Sequence, residues 1–133
     1  SERTNMNTSE SVVPVVGMAV TKHYFHHNCS PATVVKVINK NQIRVQSDSW
    51  FKIPVKGKRM MAGPWKCWRN PKGLTHTYTR QADGRWLVGT SSKQTKEHGV
   101  HVTLGKRQYK DFLDQGVEEC VEATAKDLEY FKR

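Results

Sequence analysis

The chain has 133 residues, enough for one domain with a core of its own, and 22 Lys or Arg against 12 Asp or Glu give it a net charge of +10. No run approaches the roughly 20 apolar residues that cross a bilayer, and the first residues hold neither a basic nor an apolar leader, so a soluble, non-secreted protein is expected. Cys29, Cys67 and Cys120 are odd in number and widely spaced, which argues against a disulfide framework and for reduced thiols.

Charge is unevenly placed. Residues 1–108 hold 18 Lys or Arg against 5 Asp or Glu, a balance of +13, whereas residues 109–133 hold 4 against 7, a balance of −3. A basic body attracts phosphate-bearing partners by long-range steering, so nucleic acid, small nucleotides and acidic proteins are all candidate partners.

In chain order, residues 1–11 are polar and patternless and read as a disordered arm. Residues 12–20 are an apolar run with Pro14 and Gly17, which suits a strand with an irregular start. Residues 33–38 and 42–46 are β-branched runs joined by Asn39, Lys40 and Asn41, the clearest hairpin in the chain. Residues 50–53 extend its second strand or begin another, and residues 54–64, with Gly57, Gly63 and three basic residues, read as a loop.

From Trp65 to Trp86 the chain reads WKCWRNPKGLTHTYTRQADGRW, with rings alternating with Arg, Lys and Thr between turn residues Asn70, Pro71, Gly73, Asp83 and Gly84. A period of two with turns at both breaks predicts a hairpin or meander over 65–88, and rings beside guanidinium groups suit flat, anionic ligands. Residues 89–99 form a second polar loop, and residues 100–104 a short alternating strand. The fold class expected is α+β, mainly antiparallel β, with a small sheet or barrel of about six strands over residues 12–108. In the acidic residues 109–133, Phe112, Leu113, Val117, Cys120, Val121, Thr124, Leu128 and Phe131 recur at threes and fours, which predicts a C-terminal amphipathic helix. Its apolar stripe covers one face of the sheet or builds an oligomer interface.

Catalytic motifs are missing from the sequence. It has no Gly-rich phosphate loop ending in Lys-Ser or Lys-Thr, no nucleophile elbow and no paired His-Glu motif at helical spacing. With five carboxylates in the basic body, a general acid and base pair is hard to assemble, so a non-enzymatic role without a cofactor is expected. His23, His26, His27 and Cys29 have the ligand types of a zinc site, but no second well-spaced pair accompanies them, and a surface loop touching an anionic ligand is the simpler reading.

Several stretches carry a resemblance in order and spacing: residues 16–21, residues 31–37, residues 69–73, Tyr78, Thr79 and Arg80, residues 83–86, and Leu104, Gly105, Lys106 and Arg107. Over about residues 15–110 the chain resembles a family of small phage-encoded proteins. That family is similar to the phage anti-Thoeris sponges, which bind the cyclic ADP-ribose signal of bacterial TIR-domain defence proteins without degrading it. The resemblance implies a dimer or higher assembly in the cytoplasm of an infected bacterium. It also implies that Tyr78 stacks the base, unless it is an ordinary inward-facing strand residue, and that Arg107 grips the pyrophosphate bidentately. Lys52 would be a second clamp, with Arg69, Arg80 and Ser92 lining the site and Trp65, Trp68 and Trp86 as core or interface rings. Where the family continues with a Tyr-Asp-Pro-like segment, this chain departs with residues 108–112 and its long tail.

The main competing expectation is a β-barrel that grips single-stranded nucleic acid with exposed rings and a basic groove. A protein that blocks an acidic host enzyme by contact is a third, supported by net charge alone.

Overall fold

The computed structural model describes residues 12–24, 28–52, 65–93, 100–110 and 118–131. Six strands close a barrel: β1 (Ala19–His23), β2 (Cys29–Asn39), β3 (Gln42–Ser47), β6 (Thr75–Arg80), β7 (Trp86–Val88) and β8 (His101–Leu104), in that order. Every pairing is antiparallel, and β8 returns to β1 through the register Val20↔Leu104 to His23↔His101. Closure removes the exposed edges that a small sheet would otherwise present. The α+β small barrel expected from the sequence is therefore the fold observed, with one short helix at the C-terminal side.

Strand alternation builds the core. Side chains two residues apart share a face, and Val20, Ala32, Val34, Ile43, Val45, Tyr78, Trp86 and Val102 all turn inward and are buried together. Each fully buried Val or Ile in that cluster contributes about 1.5–3 kcal/mol of hydrophobic stabilisation. The intervening Thr21, Thr33 and Thr79 face outward, yet they too are buried. The Thr21 hydroxyl donates to the Lys106 carbonyl at 2.7 Å and the Thr79 hydroxyl to the Gly89 carbonyl at 2.7 Å, so parts of the barrel's outer wall are covered by later chain.

The β2–β3 hairpin forms as its sequence predicts. Asn39 Oδ1 accepts the Asn41 amide at 2.8 Å, a side-chain turn that reverses the chain. At the β6–β7 turn, Gly84 adopts φ 92° and Asp83 Oδ1 accepts the Arg85 amide at 3.0 Å.

Two expectations change. The stretch from Trp65 to Val88 is not one hairpin or meander: β5 (Trp65–Trp68) leaves the barrel and pairs with β4 (Ser49–Lys52), while β6 pairs with β7 and β3. The acidic tail is also less helical than its spacing predicts. Tail residues Glu118–Glu119 (β10) pair with β9 (Gln108–Tyr109), and Val121–Glu122 (β11) runs parallel to β5. Only α1 (Ala125–Phe131) is helical among the described tail residues, and Phe112, Leu113 and Val117 lie outside them.

A reciprocal cap explains where the helix starts. The Asp127 amide donates to Thr124 Oγ1 at 3.1 Å, and the Thr124 amide donates to Asp127 Oδ2 at 2.9 Å. Upstream of the cap, the backbone at Cys120 and Ala123 donates instead to the Arg107 and Cys67 carbonyls, at 2.8 Å each. Long-range strand pairing has displaced the local helical preference there. Lys66 Nζ at 3.3 Å from Asp127 Oδ2 ties α1 to β5.

Candidate functional site

Arg107, the expected pyrophosphate clamp, is engaged within the protein. Its Nε lies 2.7 Å from Asp48 Oδ2 and its Nη2 donates to Thr33 Oγ1 at 2.9 Å, while Thr33 Oγ1 donates to Asp48 Oδ1 at 2.7 Å. The Asp48 side chain is 1% exposed and that of Arg107 13%. Burial pushes the Asp48 carboxyl above its ordinary range despite the bonds from Thr33 and Arg107. This arrangement is a lock that ties the chain after β8 to the outer wall of β2 and the β3–β4 junction. A guanidinium already spent on a buried carboxylate is a poor clamp for a ligand, so the role expected for Arg107 is corrected.

Tyr78 takes the alternative left open for it, an ordinary inward-facing strand residue, and its stacking role is corrected. It lies on β6 facing the barrel interior, is completely buried in the core cluster, and presents no ring face to a ligand. Burial, and secondarily Tyr24, push its hydroxyl well above the usual tyrosine range. Thr33, which holds Arg107, points outward between the inward Ala32 and Val34, so the barrel wall separates Tyr78 from Arg107.

The remaining expected residues scatter. Arg69 is exposed just after β5 and contributes a favourable field at Asp48. Ser92 is exposed beyond β7, and Lys52 ends β4 opposite Trp65, its side chain lying outside the described residues. His26 and His27 also lie outside them, as does the loop expected over 54–64. His23 stacks on His101 with ring centroids 4.6 Å apart and 5° between planes, and its Nε2 is 2.9 Å from Thr103 Oγ1. Among the described residues no group of His, Cys, Asp and Glu is arranged to hold a metal. Cys29, Cys67 and Cys120 are buried thiols, and a hydrogen bond between Cys67 and Cys120 lowers the pKa of the first and raises that of the second.

Arg80, among the expected residues, lines a cleft. At the barrel end carrying the β2–β3 and β6–β7 turns, a cavity of about 440 Å³ is lined by Val13, Val37, Lys40, Asn41, Arg80 and Trp86, with Pro14 and Val12 completing it. The Arg80 amide donates to the Asn41 carbonyl at 2.8 Å, which fixes the two turns side by side. A neighbouring cavity of about 380 Å³ shares Val12 and Trp86 and adds Arg85, His101 and Thr103. The N-terminal segment therefore borders two hollows that meet at one indole.

The cleft sets two cations beside an aromatic edge and an amide side chain, with an apolar wall in which Val13 is 72% exposed; Val15 and Val16, further along the same segment, are 55% and 61% exposed. Such a surface suits a ligand with a flat ring and about two negative charges. Lys40 was not singled out as a binding residue from the sequence, and Trp86 was named there as a core or interface ring, one of three of which one could wall the pocket. Lys40 reads there as an ordinary turn residue, and only the packing of turn against turn brings it to Arg80.

Compared with known proteins, the chain matches no family model, no curated protein and no solved structure.

Proposed function

We propose that the protein binds a small phosphate-bearing nucleotide, of the cyclic ADP-ribose type that the family resemblance implies, and holds it without cleaving it. The observation that carries this reading is the cleft of about 440 Å³ in which Lys40 and Arg80 lie beside Trp86. A cyclised ADP-ribose has one adenine, two riboses and a pyrophosphate of about two negative charges, so two cations beside an indole edge meet its main demands. On this reading the protein is a phage anti-defence factor acting in the cytoplasm of the infected bacterium. Val13, exposed in the cleft wall, and Val15 and Val16, exposed further along the same segment, support closure of the site by a second copy. No helix among the described residues is long and apolar enough to cross a membrane.

The test is to incubate the purified full chain with cyclic ADP-ribose isomers, linear ADP-ribose and cyclic dinucleotides, follow its melting, and recover the ligand after heating. A true ligand at a hundredfold excess over its Kd adds about 2.7 kcal/mol of stability and is released intact. Arg80→Gln and Lys40→Gln each remove a charge-assisted bond of about 1.5–3 kcal/mol and weaken retention roughly tenfold or more. Absence of any shift across the panel, or recovery of a hydrolysed product, would sink the reading.

A second reading has its own observation. Tyr109 lies between Trp50 and Trp65, with ring centroids 5.3 Å and 4.2 Å away, and such a run of rings on a basic protein suits single-stranded nucleic acid. Salt separates the two. Binding spread over many phosphates weakens steeply as salt rises, whereas a single pyrophosphate in a cleft responds weakly.

A further inference from the structure

Alternation on β1 sends Lys22 inward beside Val20, so a lysine occupies a core position. The residue is 1% exposed, at the barrel end opposite the Arg80 cleft, where Ser47 ends β3 and His76 enters β6. Its Nζ donates to Ser47 Oγ at 2.9 Å, lies 3.2 Å from His76 Nδ1, and sits 5.9 Å from the centre of the Tyr24 ring. An ammonium group has three donors, and these contacts use two of them. No carboxylate pairs with Lys22 among the described residues. Burial lowers its pKa, and burial followed by the charges of Lys22 and Arg44 lowers that of His76, which favours the neutral imidazole whose Nδ1 can accept.

A second, independent observation points to the same place. Tyr78 stands two residues from His76 on the inward side of β6, fully buried, and its hydroxyl has no hydrogen-bond partner. Tyr24, the residue that perturbs Tyr78, has its own hydroxyl 3.2 Å from Ser30 Oγ, so two hydroxyls share one bond and one proton remains to donate. The mouth thus gathers unspent donors from Lys22, Tyr78 and the Tyr24–Ser30 pair around an uncompensated cation. A buried charge without a counter-charge and a buried hydroxyl without a partner are both costly, and one ligand would relieve both.

We propose that this mouth, formed by Lys22, Tyr24, Ser30, Ser47, His76 and Tyr78, is a binding site for a phosphate group, either free phosphate or the terminal phosphate of a mononucleotide. It is distinct from the Arg80 cleft and does not rest on the nucleotide reading of that cleft. Lys22 supplies the charge, Tyr78 a directed hydroxyl, and Tyr24, exposed to 39%, the entrance.

The test compares melting of the full chain in inorganic phosphate, AMP and chloride at equal pH and ionic strength, with phosphate affinity measured by 31P NMR titration. Phosphate and AMP are expected to raise the melting temperature above that in chloride. Lys22→Met should lose the response, and Tyr78→Phe should melt no lower than the parent in chloride yet bind phosphate about tenfold more weakly. The second variant keeps the test decisive if the first fails to fold. Arg80→Gln should weaken nucleotide retention at the cleft while sparing the phosphate response, so the two sites can fail separately. A phosphate response equal to that of chloride, one that survives in both mouth variants, one lost in Arg80→Gln, or a response to AMP without one to phosphate would each overturn the proposal.

Discussion

Replacing Arg107 with Ala tests whether the residue is a lock or a free cation. The substitution leaves the Asp48 carboxylate, 1% exposed at its side chain, with the Thr33 hydroxyl at 2.7 Å as its hydrogen-bond partner in the cluster. Glu122 adds little, since it stands 4.0 Å from Arg107 Nη1 and its side chain is 79% exposed. Removing one member of a buried ion pair costs about 3–5 kcal/mol. At about 2.1 cal/mol/K of unfolding entropy per residue, a chain of 133 residues should melt roughly 10–18 °C lower.

The sign with pH follows from Asp48. Its folded pKa is already raised by burial, so its protonated form is favoured in the barrel and the stability it contributes is lost as pH rises through that pKa. Without Arg107 the carboxyl should rise further, making the loss larger at pH 8 than at pH 5. Urea unfolding followed by tryptophan fluorescence at the two pH values measures both effects, and a double substitution, Asp48→Leu with Arg107→Met, should recover much of the stability. A loss below about 1 kcal/mol at pH 8 would refute the lock. Arg107 would then be available to a ligand.

Two further outcomes are expected. His23 is held near pKa 4, from an ordinary 6.5, by burial and then by His101, so its stabilising contribution is complete above pH 6.5 and is lost as pH falls towards 4, by up to about 3 kcal/mol. An NMR titration of its ring that gives a value near 6.5 would contradict this. Gly73→Ala drives a Cβ into the Ser47 carbonyl and should cost about 1–3 kcal/mol in urea unfolding, a cost that a wild-type midpoint would disprove.

The structure also shows which signals in the chain could be trusted. The hairpin of β2 and β3 was legible because β-branched runs and an asparagine turn agree locally. The departure of β5 was not, because a strand of alternating rings and cations pairs equally well with several neighbours, and its contacts with β4 and β11 are set by distant chain. The helix was overestimated because apolar spacing at threes and fours also fits short strands when Cys120 is buried and flanked by paired edges. Among the candidate site residues, Arg80 came with the family resemblance and lines the cleft, whereas Arg107 was misread and Tyr78 stayed open between two roles, since nothing local tells an inward tyrosine or a carboxylate-bound arginine from a ligand-facing one. Lys22 left one faint trace, a charge two residues after Val20 at the inward parity of β1.

The amino-acid order by itself determined the antiparallel β character, most strand positions, the turns and the basic surplus, because these depend on periodicity, turn chemistry and net charge within short windows. Closure of the barrel decided everything that depends on which side of a wall a residue faces and on which distant residue it meets. That is why Arg107 became a structural lock, Tyr78 a core residue with an unspent hydroxyl, and Lys22 a buried cation at the mouth.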